Sequence, residues 1–430
     1  MPIRSSQINR RTLFKGAGAL ALATALPGLS ACSDAGGRTT IRFMAGKRET
    51  VDYFKKVAAD FVASQQDYDV SLEQLTSVTA DFVRDTPVSL ALKNYTRADA
   101  GYALRGVLAD LTGKPELPRL VPALLKQLND AGHYGDETNI VPYSIAGQGV
   151  IYNRDLFDAA GLAVPTTWSE FVHVCETFKS RGITPIQGTF ADIWTVVQGL
   201  FEFVTTSMIP DIPGFISQME AQGTDIGPNS QVSFEKNLAA PCARIVEALP
   251  YFNGDAFNDT YSQGSNAYAT GKTAMLMQGP WAYSAILSAN PNIRVGMFVL
   301  PATENPDDRK CATVFDLVLW IPRSISGKTR EGADALFSYL LRPEVVHTYN
   351  RDNLAFSPTV DAPPQDDPRV SDLTPFVSSG KSSIGVWRYF PPSGIDLNAR
   401  LSQFIFDKDA GAFLRGLDAD WKRLAVRTSV

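Results

Sequence analysis

Residues Cys311–Pro322 read CATVFDLVLWIP, a near-continuous apolar run broken at its centre by a single carboxylate, Asp316. The run does not alternate, so as a strand it must be covered on both faces. Helices on both sides of a sheet supply that cover, which points to an α/β architecture. The first part of the chain agrees. IRFMAG reads as a strand, and Val51–Gln65 as a helix with Phe54, Val57, Ala58, Phe61 and Val62 on one face. YDVSLEQL alternates as a second strand, and Pro87–Leu92 reads as a third. Strand, helix, strand opens an α/β lobe with parallel strands.

Later punctuation extends the pattern. Pro142–Leu162 runs from strand into helix, and Thr167 with Glu170 forms a capping box for the next helix. On that helix Trp168, Phe171, Val172, Cys175 and Phe178 form an apolar stripe, which makes Cys175 a buried small hydrophobe. Glu331–Leu341 reads as a helix, and Pro343 sits in the first turn of another. Pro358–Val370 is a proline- and acid-rich loop. A length of 430 residues fits about two or three domain-sized cores.

The first thirty residues are of another kind. Arg4, Arg10, Arg11 and Lys15 precede the apolar stretch Gly16–Leu29, which is too short and glycine-rich to span a bilayer but suits an export signal. It ends in Leu-Ser-Ala-Cys, which resembles the lipobox of bacterial lipoproteins, with Cys32 as the lipidated residue. The alternative is an ordinary cysteine after a secretory signal. Asn9–Lys15, NRRTLFK, also resembles a twin-arginine export motif, although Asn9 stands where Ser or Thr is usual; the general secretion route fits the same basic start. These features divide the N-terminus into a signal peptide, 1–31, and a tether, 32–37; the small-residue stretch Ser33–Thr40 reads as the link between lipid and fold.

All 45 acidic residues and all but four of the 40 basic ones lie beyond residue 31, which leaves a net charge of −9. That acidity argues against nucleic acid or anionic lipid as a partner. Cys175, Cys242 and Cys311 are an odd set without zinc spacing, and one disulfide among them would leave a thiol over. His133, His173 and His347 are isolated and form no triad or metal pattern, so neither a metal nor a cofactor is expected.

ATGKTAMLMQGPWA, Ala269–Ala282, contains the letters that close a phosphate-binding loop. The spacing excludes one: the first glycine would fall at residue 266, which is Asn266. The order is also reversed. SNAYAT reads as a helix end, Gly271 as its left-handed stop, and TAMLMQ as a strand.

The same stretch resembles a signature of bacterial extracellular solute-binding proteins of the maltose-binding type, the sugar receptors of ABC importers. Val150–Phe171, VIYNRDLFDAAGLAVPTTWSEF, is similar to a second family segment. Val318–Pro322 with Ala333–Asn350 is similar to a third, and Gly101–Thr112 more weakly to a fourth. The four occur in collinear order over most of residues 40–425. The resemblance implies an α/β fold of two lobes, a periplasmic-binding-protein-like clamp with ligand in the cleft. It implies hinge strands crossing near Ala146–Val150, Thr313–Leu317 and Ala355–Pro358. The first lobe would comprise 38–147 plus 318–355, and the second 148–317 plus 356–430.

A sugar offers an apolar C–H face and a rim of hydroxyls, which suit aromatic planes and planar polar side chains. Two roles fit Trp281: stacking on a sugar, as family tryptophans at this position often do, or packing within the second lobe. Asp192 and Trp194 lie in a segment that matches a family loop rimming the cleft; a helix cap and core packing are their alternatives. Tyr283 is a weaker candidate two residues past Trp281. Trp387 and Arg388 lie in an aromatic loop that either faces the cleft or packs beneath it. In the first lobe, Lys47, Arg48 and Glu49 follow strand one, Asn94 and Tyr95 follow strand three, and Gln148 sits at the first crossing. Where the family's late crossing is often glycine-rich, this chain has Phe315 and Asp316, and YSIAGQG lacks a carboxylate that the maltose-binding protein has. Both departures point away from maltose, and Asp316 is a candidate to supply the missing carboxylate. The implied partners are a carbohydrate, ABC permease subunits and, through Cys32, the membrane, with the protein a monomer. An exported carbohydrate-active enzyme or a sugar-sensing receptor are the competing classes.

Overall fold

The computed structural model describes residues 37–74, 77–227, 229–386 and 394–428. Nine strands form one connected sheet. They are β1 (Thr39–Ala45), β2 (Tyr68–Glu73), β3 (Leu90–Lys93), β4 (Val141–Asn153), β5 (Thr184–Gln187), β6 (Thr273–Gln278), β7 (Val295–Phe298), β8 (Cys311–Trp320) and β9 (Ser382–Ile384). The order is β2-β1-β3-β8-β4-β6-β5, with β7 on β4 and β9 on β8. β1 pairs parallel with both β2 and β3, as the opening strand-helix-strand predicts. β8 then runs antiparallel between β3 and β4.

β8 and β4 hold the architecture together. All ten residues of β8 and all thirteen of β4 are buried. On β8 the period of two sends Leu317 and Leu319 into one core and Val318 and Trp320 into the other. The first core lies under the helices Val51–Ala63, Gly327–Leu340 and Pro343–Asp352, with Phe43, Phe54, Tyr143, Phe337 and Tyr349. The second continues from the opposite face of that sheet region through Ile145, Phe315 and Phe356 into Phe157, Phe178, Phe201 and Met275.

β4 changes partners along its length. Val141–Gln148 pairs with β8, and Gly149–Asn153 pairs with β6 and β7. A third segment joins it: the Phe356 N–H donates to Ile145 O at 2.7 Å, and the Ile145 N–H to Phe356 O at 3.0 Å. Of the three segments expected to cross between lobes, β4 is thus hydrogen-bonded both to β8 and, at Ile145, to the Phe356 segment.

The glycine of the GKT triplet ends the helix Tyr261–Ala269 with φ +74°, a conformation open to glycine without strain, and β6 follows. The stretch is a helix-to-strand turn. Some boundaries differ from the sequence reading. Thr39 and Thr40 belong to β1 rather than to a tether, because they pair with Tyr68 and Asp69. The buried face of helix Trp168–Ser180 uses Val174 where the stripe predicts Val172, which is only half-buried. Cys175, Cys242 and Cys311 are free and buried, and burial pushes the thiols of Cys242 and Cys311 up to about 12. They stay protonated at neutral pH. No described helix is long and apolar enough to cross a membrane. The signal peptide and Cys32 lie outside the described residues.

Candidate functional site

A cavity of about 240 Å³ opens where the crossing strands meet the ends of the flanking elements. Its floor includes Ala146 of β4 and Asp316 of β8. Lys47 and Glu49 come from the turn after β1, because a parallel strand delivers its C-terminal end to one edge of the sheet. Trp281, Tyr283 and Leu287 come from the turn after β6 and the helix Ala282–Ala289. Asp352, Asn353 and Leu354 come from the end of helix Pro343–Asp352, and Arg369 from the proline-rich loop.

Asp316 is buried, and its Oδ2 lies 2.6 Å from Lys47 Nζ. Asn94 Nδ2 donates to the Asp316 carbonyl at 2.6 Å and to its Oδ1 at 3.3 Å. Both carboxylate oxygens thus have partners, from the turns after β1 and β3. Phe315, the other unusual residue of this crossing, turns into the core edge-to-face with Tyr95 at 5.9 Å.

Trp281 is half-buried. Its indole N–H donates to the buried Gln278 Oε1 at 3.0 Å. Its six-membered ring lies over Gly279, where a Cβ would come within 2.3 Å of it, so the glycine is what lets the ring lie flat on the turn. Tyr283 contributes ring surface only: it is buried, and its hydroxyl donates to Arg369 O at 2.7 Å. The Arg369 guanidinium is held by Asp367 at 2.8 and 2.7 Å. That pairing raises Arg369 above its ordinary value and holds Asp367 below the usual carboxylate range. Leu354 has φ +55°, uncommon for a branched side chain, one residue before the third crossing segment.

The structure thus brings Lys47, Glu49, Trp281, Tyr283 and Asp316 to one cavity. It places the other candidates elsewhere. Asn94 stands behind Asp316, and Tyr95 is in the core. Gln148 is buried in β4, where its Nε2 donates to Gln198 O at 2.9 Å; its Oε1 has no hydrogen-bond partner among the described residues. Asp192 accepts the Tyr261 N–H at 2.7 Å and so serves the start of helix Tyr261–Ala269. Trp194 packs against Tyr261 with centroids 5.1 Å apart. Burial, and then the Glu49 carboxylate, push the Tyr261 phenol up to about 12. Trp387 and Arg388 lie outside the described residues, as does the Arg48 side chain.

Sequence reasoning missed Asp352, Asn353, Leu354, Arg369, Ser284 and Leu287. The first three directly precede the crossing expected at Ala355, and that adjacency was the available signal. Arg369 carried none, since a loop of prolines and acids does not disclose where it folds back. Among the described residues no group of three or more His, Cys, Asp or Glu is arranged to hold a metal ion.

Fold and cavity together define a two-lobe binding clamp, with hinge strands beneath the site. The profile described as bacterial extracellular solute-binding protein matches residues 46–346, and the chain belongs to that family. The multiple sugar-binding protein of Streptococcus mutans serotype c is 23% identical over 338 residues, 73% of either chain. The melibiose/raffinose/stachyose-binding protein of Bacillus subtilis is 25% identical over 269 residues, 60% of this chain and 59% of that one. Among solved structures, apo RafE from Streptococcus pneumoniae superposes with a TM-score of 0.77 at 19% identity, covering 91% of this chain and 99% of that chain. RafE in complex with raffinose gives 0.75 at 20% identity, over 90% and 100%. The family places the protein outside the cytoplasm, among binding proteins rather than enzymes.

Proposed function

We propose that the protein is the substrate-binding component of an ABC importer and closes its two lobes on a sugar or related polyol. The observation that carries this reading is the cavity at the hinge. An indole and carboxylates lining one cavity suit the two surfaces of a sugar. The names of the relatives support the ligand class. We take the lobes as 38–147 plus 318–355 and 148–317 plus 356–430, joined at the three crossing segments. Within the cavity, Trp281 is the stacking platform, and Glu49, Asp352 and Asp316 meet hydroxyls. The protein acts as a monomer that docks on permease subunits, held to the membrane by lipid on Cys32.

A carbohydrate panel that includes melibiose and raffinose tests the ligand class. A ligand that binds only the folded state raises its melting point, by about 2.7 kcal/mol of added stability at a hundredfold excess over Kd. At least one neutral saccharide is expected to do so; no shift from any carbohydrate would remove the reading.

Trp281→Ala separates platform from core. A half-buried indole beside open space should cost about 1–2 kcal/mol of stability, against about 3–5 kcal/mol for a buried core aromatic. Affinity for the saccharide found above should fall more than about tenfold. Denaturation midpoints and binding isotherms on the same variant decide: a large loss of stability with intact binding would return Trp281 to the core.

The lipobox supports the anchor. Cys32→Ala is expected to abolish acyl labelling and release the protein from the membrane fraction or leave it unprocessed, whereas unchanged labelling would refute lipidation at this residue.

A further inference from the structure

Among the described residues, two cations line the cavity, and both are already neutralised. Lys47 Nζ sits 2.6 Å from Asp316, with side chains only 13% and 5% exposed. Arg369 is clamped by Asp367 through two hydrogen bonds. Two further carboxylates line the same space. Glu49 is exposed and has no ion pair among the described residues. Asp352 is paired with Arg351 at 2.8 Å, as Arg369 is with Asp367, so Glu49 is the lining charge left without an ion pair among the described residues. Among the described residues the wall thus carries one uncompensated charge, and it is negative.

This arrangement treats ligand charges unequally. A hydroxyl donates to a carboxylate with no charge to compensate. A uronate or phosphate must instead take Lys47 from Asp316, leaving a buried carboxylate without its counter-ion, or lie beside Glu49 uncompensated. Asn94 makes the first route harder, since its two hydrogen bonds fix Asp316 in place. We propose that Asp316 is the charge-selectivity residue of the cavity: by holding Lys47 in an ion pair it restricts the site to uncharged polyhydroxy ligands and rejects uronates and sugar phosphates. The inference rests on the sugar-binding reading and narrows it.

The test uses charge-matched pairs on the purified protein: galactose with galacturonate, raffinose with tri-galacturonate, glycerol with glycerol 3-phosphate. Neutral members are expected to raise the melting point and their anionic counterparts to leave it unchanged. An anionic member that stabilises the wild type as well as its neutral counterpart would overturn the inference and leave the sugar reading standing. Silence from both series would remove that reading, and the inference with it.

Asp316→Asn keeps the shape and frees the Lys47 ammonium. The folded variant should gain at least about tenfold in affinity for the anionic member of a pair at about 20 mM NaCl and keep most of that gain at about 500 mM, because a contact largely out of solvent is screened little. A folded variant that still excludes the anion would refute the role of Asp316. Should the variant not fold, the wild type decides: Kd for the neutral saccharide should change less than about twofold over that salt range, and a steep weakening would reveal a free charge in recognition.

Discussion

Everything at the site depends on β4 and β8 being paired along the hinge. These two strands are buried along their whole length, so each backbone N–H and C=O there must find a partner. β4 finds them on β8 up to Gln148 and on β6 and β7 from Gly149, and the return segment at Phe356 uses Ile145. The same strands that fix the hinge also supply the cavity floor, Ala146 and Asp316. A change of angle at the crossing therefore moves the walls of the cavity relative to its floor, the arrangement a hinge-closing receptor needs.

The Lys47–Asp316 pair is the electrostatic counterpart of that pairing. It joins the turn after β1 to the middle of β8. Its net contribution to stability is small, because desolvation of two charges offsets much of their attraction. Its effect is positional: it fixes a carboxylate and an ammonium at the cavity edge and removes both from the set of free charges. Among the described residues Glu49 is left to give the cavity its sign.

Much of this was legible in the sequence, and the rest was not for physical reasons. The doubly buried strand, the capping box at Thr167, and the helix-stop-strand order at Gly271 are local signals, and each formed as read. Lys47, Glu49, Trp281 and Tyr283 were reachable because they follow strand ends: β1 runs parallel to β3 and β6 parallel to β5, and the ends of β1 and β6 both reach the cavity. Tyr95 and Asp192 also follow strands, yet one packs on Phe315 and the other serves a helix start. A period-two pattern gives the face of a strand but does not say what the loop beyond it will meet. Arg369 reaches the cavity through a long-range fold-back of a loop with no periodicity at all. Val174 replaced Val172 because a stripe one residue wide leaves about 100° of uncertainty in helix phase.

The central claim is that one ligand is held by two lobes that close about β4, β8 and the Phe356 segment. Small-angle X-ray scattering, with and without a saturating saccharide that stabilises the fold, tests it most directly. A smaller radius of gyration is expected for the liganded protein at unchanged molecular mass. An unchanged radius at full saturation would contradict it, because the cavity would then bind its ligand without the hinge.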